Sequence, residues 1–258
     1  MASSDKLRSG SDYALYFNSR AYTDAFFSKV DRSVFIQFVL ESLHQIYAQG
    51  NIKGHRLLEI GSGPCIHMVL PAAKWFDEII LTDFTPANRD MLEKWLQKSS
   101  DAFNWEPFSK FYSKLDGNEE DWQALENELR KKITSILPCD VHLPNPLHPE
   151  VLEQVDVICT STCLESACPD IAKYRKAMQN VVSLLKPGGR FILMGVLNNS
   201  FYTVGTEKFH CLSLSKQDVL DAVEMAGLTV VELFEDGSAL EGDVAPYNGA
   251  LVIHARKN

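Results

Sequence analysis

Between residues 56 and 255 short apolar runs alternate with amphipathic stretches, and the first run empties into two glycines. Arg56-Leu57-Leu58-Glu59-Ile60 reads as a strand entering the turn Gly61-Ser62-Gly63-Pro64. Residues 78–83, 155–160 and 191–194 are runs of the same kind. A strand that is apolar throughout must be covered on both faces. Strands of this type separated by helices predict an α/β fold around a mostly parallel sheet. The last two runs, 229–234 and 250–255, have only an acidic loop between them, from Glu235 to Asp243. They are expected to form an antiparallel hairpin at one edge.

The intervening helices have local signals. Phe35, Val39, Leu43 and Ile46 mark one face of a helix starting near Asp31 and bracketed by Gly50 and Gly54. A second helix is expected from the glycine turn through Trp75. Thr85-Pro86 supplies an N-cap and a first-turn proline for a third, with Met91, Leu92, Trp95 and Leu96 as its apolar side. Trp122, Leu125, Leu129, Ile133 and Ile136 predict a fourth. Ile171, Tyr174, Met178, Val181 and Leu185 predict a fifth, closed by Lys186-Pro187-Gly188-Gly189. Ser215 with Asp218 is a capping box, and Gly227 ends that helix. No linker or repeat interrupts the pattern, so residues 1–258 read as one domain.

Charge and composition exclude some classes. A net charge of −9 argues against a nucleic-acid or anionic-membrane binder, which needs a basic face. No apolar run is long enough to span a bilayer. Met1 to Lys6 lacks a signal-peptide core. A cytoplasmic protein is therefore expected, its six cysteines reduced thiols. Cys159, Cys163 and Cys168 do not have zinc-ligand spacing, so no metal is expected.

The glycine turn carries the first chemical signal, because glycine lets backbone approach a ligand closely. A dinucleotide fingerprint needs a third glycine where Ile66 stands, so that reading fails. Asp83 closes the second strand, at a spacing suited to a ribose diol. Leu185-Lys186-Pro187-Gly188-Gly189-Arg190-Phe191 and Cys139-Asp140-Val141 complete the set.

In this order and spacing, these motifs resemble the Rossmann-like class I methyltransferases that use S-adenosylmethionine. More narrowly, the chain resembles the small-molecule N-methyltransferases acting on nicotinamide, phenylethanolamine and indolethylamine. Tyr16-Phe17-Asn18-Ser19-Arg20-Ala21-Tyr22, Leu81-Thr82-Asp83-Phe84, Cys163-Leu164-Glu165-Ser166-Ala167-Cys168-Pro169-Asp170 and Asn248-Gly249 carry the likeness over almost the whole chain. It implies a seven-stranded sheet with a C-terminal antiparallel hairpin and an N-terminal helical cap over residues 1–50. It implies S-adenosylmethionine as cofactor, held by Tyr22, Phe27, Gly61, Ser62, Gly63, Cys65, His67, Asp83, Phe84, Asn88, Asp140, Val141 and Ser161. Substrate contacts fall on Phe26, Thr162, Ala167, Gly195, Asn198 and Tyr202. Glu165 becomes the catalytic candidate, orienting an amine first and accepting its proton second.

The departures shape the expected substrate. Phe26, Phe27, Cys65 and His67 stand where relatives carry hydroxyl side chains, and each lost hydrogen bond costs about 0.5–1.5 kcal/mol. Gly195 replaces an aspartate of the nicotinamide enzymes. Glu165 matches an amine-holding carboxylate of the phenylethanolamine enzyme, and Asn198 is read as replacing its second one. A monomeric enzyme for a small aromatic or heteroaromatic amine is expected, indolethylamine-like or phenylethanolamine-like. Pyridine or thioether methylation, and a cofactor-binding protein without catalysis, stay open.

Overall fold

The computed structural model describes residues 7–28 and 34–258. The expected helix start at Asp31 and the segment from Met1 to Lys6 lie outside the described residues. Seven strands form one sheet: β1 (Gly54–Ile60), β2 (Phe76–Asp83), β3 (Ile133–Pro138), β4 (Val155–Ser161), β5 (Leu185–Val196), β8 (Leu228–Asp236) and β9 (Ala250–Lys257). Their order is β3-β2-β1-β4-β5-β9-β8. Pairing is parallel from β3 through β5, and β9 runs antiparallel to both β5 and β8. The final strands are antiparallel as expected, but β9 lies inside the sheet and β8 alone forms the edge.

Side-chain alternation splits the apolar strands between two cores. Leu57, Ile79, Val157, Ile192 and Val252 face one side, under α3 (Val34–Ala48), α5 (Glu106–Leu115) and α6 (Trp122–Lys132). Leu58, Ile80, Ile158, Leu193 and Ile253 face the other, under α8 (Ile171–Ser183) and α9 (Lys216–Met225). Burying each such side chain contributes about 1.5–3 kcal/mol. Leu40, Leu43 and Ile46 of α3 are fully buried in the first core, so this helix also covers the sheet.

Three expected helices are revised; the fifth ends at Ser183, and Leu185 with Lys186-Pro187-Gly188-Gly189 begins β5 instead of closing it. Ile133 and Ile136 belong to β3, because α6 ends at Lys132 and Ile133 turns extended. An i,i+3 apolar pair also fits a strand end, and the β-branched Ile133, Thr134 and Ile136 favour the sheet. After the glycine turn no α-helix forms; residues 62–70 are loop and turns, followed by a 3-10 turn at Pro71–Lys74. Pro71 removes an amide donor within the expected helical span. A helix dipole therefore does not act at this turn. The sequence reading also passed over α5 and the hairpin of β6 (Phe201–Val204) and β7 (Glu207–His210).

The arm of residues 7–28 crosses the carboxyl ends of the strands as α1 (Asp12–Tyr16) and α2 (Ser19–Phe26). The Asn18 side chain caps α2 by accepting from the Ala21 amide. The Lys208 carbonyl accepts from the Arg8 amide, and the Arg8 guanidinium meets Glu207 at 2.7 Å. The Tyr13 and Tyr202 hydroxyls are 2.6 Å apart. The Ser19 hydroxyl donates to the Asn88 side chain at the start of α4 (Pro86–Leu96).

Candidate active site

A cavity of about 930 Å³ opens at the carboxyl ends of β1 to β5, beneath the arm. This is where open α/β sheets bind ligands, since loops there converge and backbone groups are free. One wall is the glycine turn. Gly61 has φ +67°, and a Cβ there would lie 2.1 Å from the Cys163 sulfur. Both the backbone conformation and the close approach require glycine.

Asp83 ends β2 beside that turn. Its Oδ1 accepts from the Thr85 amide at 2.7 Å and the Asn88 side chain at 2.9 Å, and its Oδ2 accepts from the Gly63 amide at 2.8 Å. Burial still raises its pKa above the usual carboxylate value, and the three hydrogen bonds only oppose that rise. A carboxylate has about four acceptor positions, so one remains for a ligand hydroxyl. Beneath the turn Glu59 is fully enclosed, its pKa pushed up to about 8 by burial, with Oε2 unpartnered.

The cavity brings together Tyr22, Phe26, Phe27, Gly61, Ser62, Gly63, Cys65, His67, Asp83, Phe84, Asn88, Asp140, Val141, Ser161, Thr162, Ala167 and Tyr202. Glu165, Gly195 and Asn198 do not line it. The reason for the first two is strand parity. Met194 and Val196 of β5 face the cavity, so Gly195 faces away. Glu165, on α7 (Leu164–Ala167), tucks its carboxyl behind that strand, where a Cβ on Gly195 would meet Oε1 at 3.3 Å. Oε1 has no partner among the described residues, and burial pushes the Glu165 pKa up to about 7 against hydrogen bonds from backbone amides, including that of Val196. Asn198 has φ +55° and spends itself on the turn after β5, its amide bonded to the Leu214 carbonyl.

Asn199 is the polar residue that sequence reasoning missed. It lines the cavity and is 3% exposed. Its Nδ2 donates to the Pro246 carbonyl at 2.9 Å, which fixes the amide, and Oδ1 has no partner among the described residues. The only sequence signal is the Asn198-Asn199 pair itself. Tyr13 and Phe17 of the arm and the loop from Ser238 to Ala245 also line the cavity. Thr203 pins that loop by two bonds, to the Asp243 and Val244 carbonyls. Thr162 has φ +45°, a conformation that costs a non-glycine residue about 1–3 kcal/mol and persists where packing enforces it.

The sequence profile of the NNMT/PNMT/TEMT family matches residues 5–258. The chain belongs to that family. A rabbit (Oryctolagus cuniculus) indolethylamine N-methyltransferase is 38% identical over 96% of both chains. A human nicotinamide N-methyltransferase is 36% identical over 95% of this chain and 94% of its own. A human phenylethanolamine N-methyltransferase is 36% identical over 75% and 70%. Among solved structures, a magnesium protoporphyrin IX methyltransferase from Synechocystis aligns over 96% of this chain and 97% of its own, with a TM-score of 0.61 at 12% identity, which shows the shared fold.

Membership of this N-methyltransferase family makes the chain an enzyme that uses S-adenosylmethionine. The residues present fit that cofactor. Asp83 keeps an open acceptor position, Gly63 leaves backbone room, and His67 is a buried imidazole in the wall with no hydrogen-bond partner among the described residues. Among the described residues no His, Cys, Asp or Glu cluster suits a metal ion, and no helix is long and apolar enough to cross a membrane.

Proposed function

We propose that the enzyme methylates the nitrogen of a small aromatic or heteroaromatic amine of the indolethylamine or phenylethanolamine kind. The observation that carries this reading is Asn199, a residue of the cavity wall shared with Tyr13, Phe17, Phe26 and Tyr202, whose Oδ1 has no partner among the described residues. An amine N–H satisfies that atom. A pyridine nitrogen or a thioether sulfur has no proton to give it.

When bound, S-adenosylmethionine supplies an electrophilic methyl group on a sulfonium. Asp83 is assigned its ribose, Asp140 and Val141 its adenine ring, and the turn from Gly61 to His67 its amino-acid end. Tyr22, Phe27, Phe84, Asn88 and Ser161 complete that wall, with Phe26, Thr162, Ala167 and Tyr202 around the amine. The amine must attack as the free base, and an amine of pKa about 10.4 gives up about 5 kcal/mol to reach that form at pH 7. Asn199 helps here because a neutral acceptor orients an N–H without stabilising the ammonium, as a carboxylate does. Glu165 is assigned a positioning role, holding the Val196 amide and so the wall it forms. Alignment of the reactants accounts for much of the acceleration, up to roughly 7–11 kcal/mol. We further read the chain as one domain whose cap is residues 7–28 and which works as a single subunit in the cytoplasm. The six free thiols support the cytoplasmic part of this reading.

The test is methyl transfer from labelled S-adenosylmethionine to tryptamine, phenylethanolamine, nicotinamide, quinoline and a thioether. Wild type, Asn199→Leu and Glu165→Gln are compared. Amine turnover with a raised KM in Asn199→Leu is expected. Turnover confined to quinoline, nicotinamide or thioether, unchanged in Asn199→Leu, overturns the proposal. Collapse of Glu165→Gln with loss of a pH inflection near 7 would make Glu165 the proton acceptor instead.

A further inference from the structure

Ser19 opens α2 at its first helical position, where a serine hydroxyl ordinarily competes for the local backbone. Here the Asn18 side chain caps the helix by accepting from the Ala21 amide, so the Ser19 hydroxyl is free to leave its own helix. It donates to Asn88 Oδ1 at 2.6 Å, across 69 residues of sequence. Asn88 sits in the first turn of α4 and lines the cavity. Its Nδ2 donates to Asp83 Oδ1 at 2.9 Å, and Asp83 Oδ2 accepts from the Gly63 amide. All three side chains are buried, but Ser19 is not part of the cavity wall.

An asparagine amide has nearly the same shape either way round, and its partners decide which atom faces which neighbour. Ser19 offers Asn88 a donor and Asp83 offers it an acceptor, so the amide is held at both ends with its nitrogen toward Asp83. Nδ2 carries two protons and spends one on Asp83. The second proton lies beside the open acceptor position of Asp83. Together they make a donor and an acceptor side by side, which is the pattern that two neighbouring hydroxyls require.

We propose that Ser19 is a positioning residue for recognition of the cofactor's ribose diol: through Asn88 the arm sets how sharply the strand-end site tells a diol from a ribose stripped of it, without touching the ligand. This deepens the reading of Asp83 as the ribose acid and rests on it. Removing the Ser19 hydroxyl leaves Asn88 Oδ1 a buried acceptor with no donor. The amide is then tethered at its nitrogen alone and turns about that bond, so its second proton loses its aim. Contacts to the rest of the cofactor are untouched.

The experiment is calorimetric titration of S-adenosylhomocysteine, and of its dideoxy analogue lacking both ribose hydroxyls, into wild type and Ser19→Ala. Each protein yields one affinity ratio. Wild type is expected to prefer the diol about a hundredfold and Ser19→Ala about tenfold, with affinity for the analogue changed less than about twofold. A side chain that only held the arm in place would weaken both ligands together and leave the ratio as it was. Equal ratios in the two proteins therefore overturn the proposal, while Asp83 keeps its assignment. A wild-type ratio below about threefold removes the ribose reading itself, and this proposal with it. In an Asn88→Ala background, Ser19→Ala should lower the ratio no further, and a further fall overturns the route through Asn88. If Ser19→Ala melts early, Ser19→Cys, which keeps only a weak donor, is read by the same ratio.

Discussion

At one end of the cavity Asp83 has three of its acceptor positions filled before any ligand arrives, by Gly63, Thr85 and Asn88, and Asn88 is itself held by Ser19. At the other end Asn199 offers one free oxygen among rings, and Glu241 and Asp243 sit exposed on the loop that closes the mouth. The first end is rigid and polar; the second is aromatic with few fixed hydrogen bonds. A prepaid network loses little freedom when its ligand docks. An aromatic slot selects by area and shape, and one acceptor then sets direction. Grip on the methyl donor is thus built into strand ends, while choice of the methyl acceptor rests on an arm and a loop that can change without disturbing the sheet.

Asp83→Ala tests the rigid end hardest. It strips partners from Gly63, Thr85 and Asn88, and S-adenosylhomocysteine affinity measured by calorimetry should fall about a hundredfold, or about 2.7 kcal/mol. A loss below about threefold would break the contrast. Glu59→Gln probes the dry floor beneath the same end. Glu59 holds its proton up to about pH 8 in the folded chain, whereas an unfolded glutamate loses it near 4.3. Stability from Glu59 is therefore full below about pH 4.3 and drains away as pH rises toward 8. Melting curves should show Glu59→Gln gaining on wild type between pH 5 and pH 8, by on the order of 2 kcal/mol; a constant difference would mean that water reaches the carboxyl.

The open end should respond more gently. Asn199→Leu should raise the amine KM about tenfold and leave cofactor affinity unchanged, which steady-state kinetics beside calorimetry will show. Equal damage to both would mean the two ends are not separable. The smallest effect is expected from Glu241→Gln with Asp243→Asn. Exposed charges contribute about 0.2–1 kcal/mol, so KM for a protonated amine should rise about twofold to threefold at low salt and converge with wild type at high salt.

The central sheet was legible because strands buried on both faces show as unbroken apolar runs, as in residues 78–83 and 155–160. Ile133 and Ile136 misled because three-residue spacing at the end of a helix also fits the first turn of a strand, and only pairing with β2 decides. The glycine turn, Asp83 and the aromatic arm were found from local spacing. Asn198 and Asn199 could not be told apart, since both are polar turn residues and only the fold shows that the second lines the cavity. Glu165 and Gly195 were placed in the wall because sequence does not reveal which parity of β5 faces the cavity.

The arm's contacts span nearly the whole chain: Arg8 meets Glu207 and Tyr13 meets Tyr202 at sequence separations of 199 and 189. During synthesis the arm emerges before its dock, the β6–β7 hairpin, which is made about 200 residues later. Loop closure over such distances is entropically slow, so these contacts form late in folding. Tyr13, Phe17, Tyr22 and Phe26 therefore wait as exposed rings while the sheet assembles, and a nascent chain is most prone to self-association in that interval.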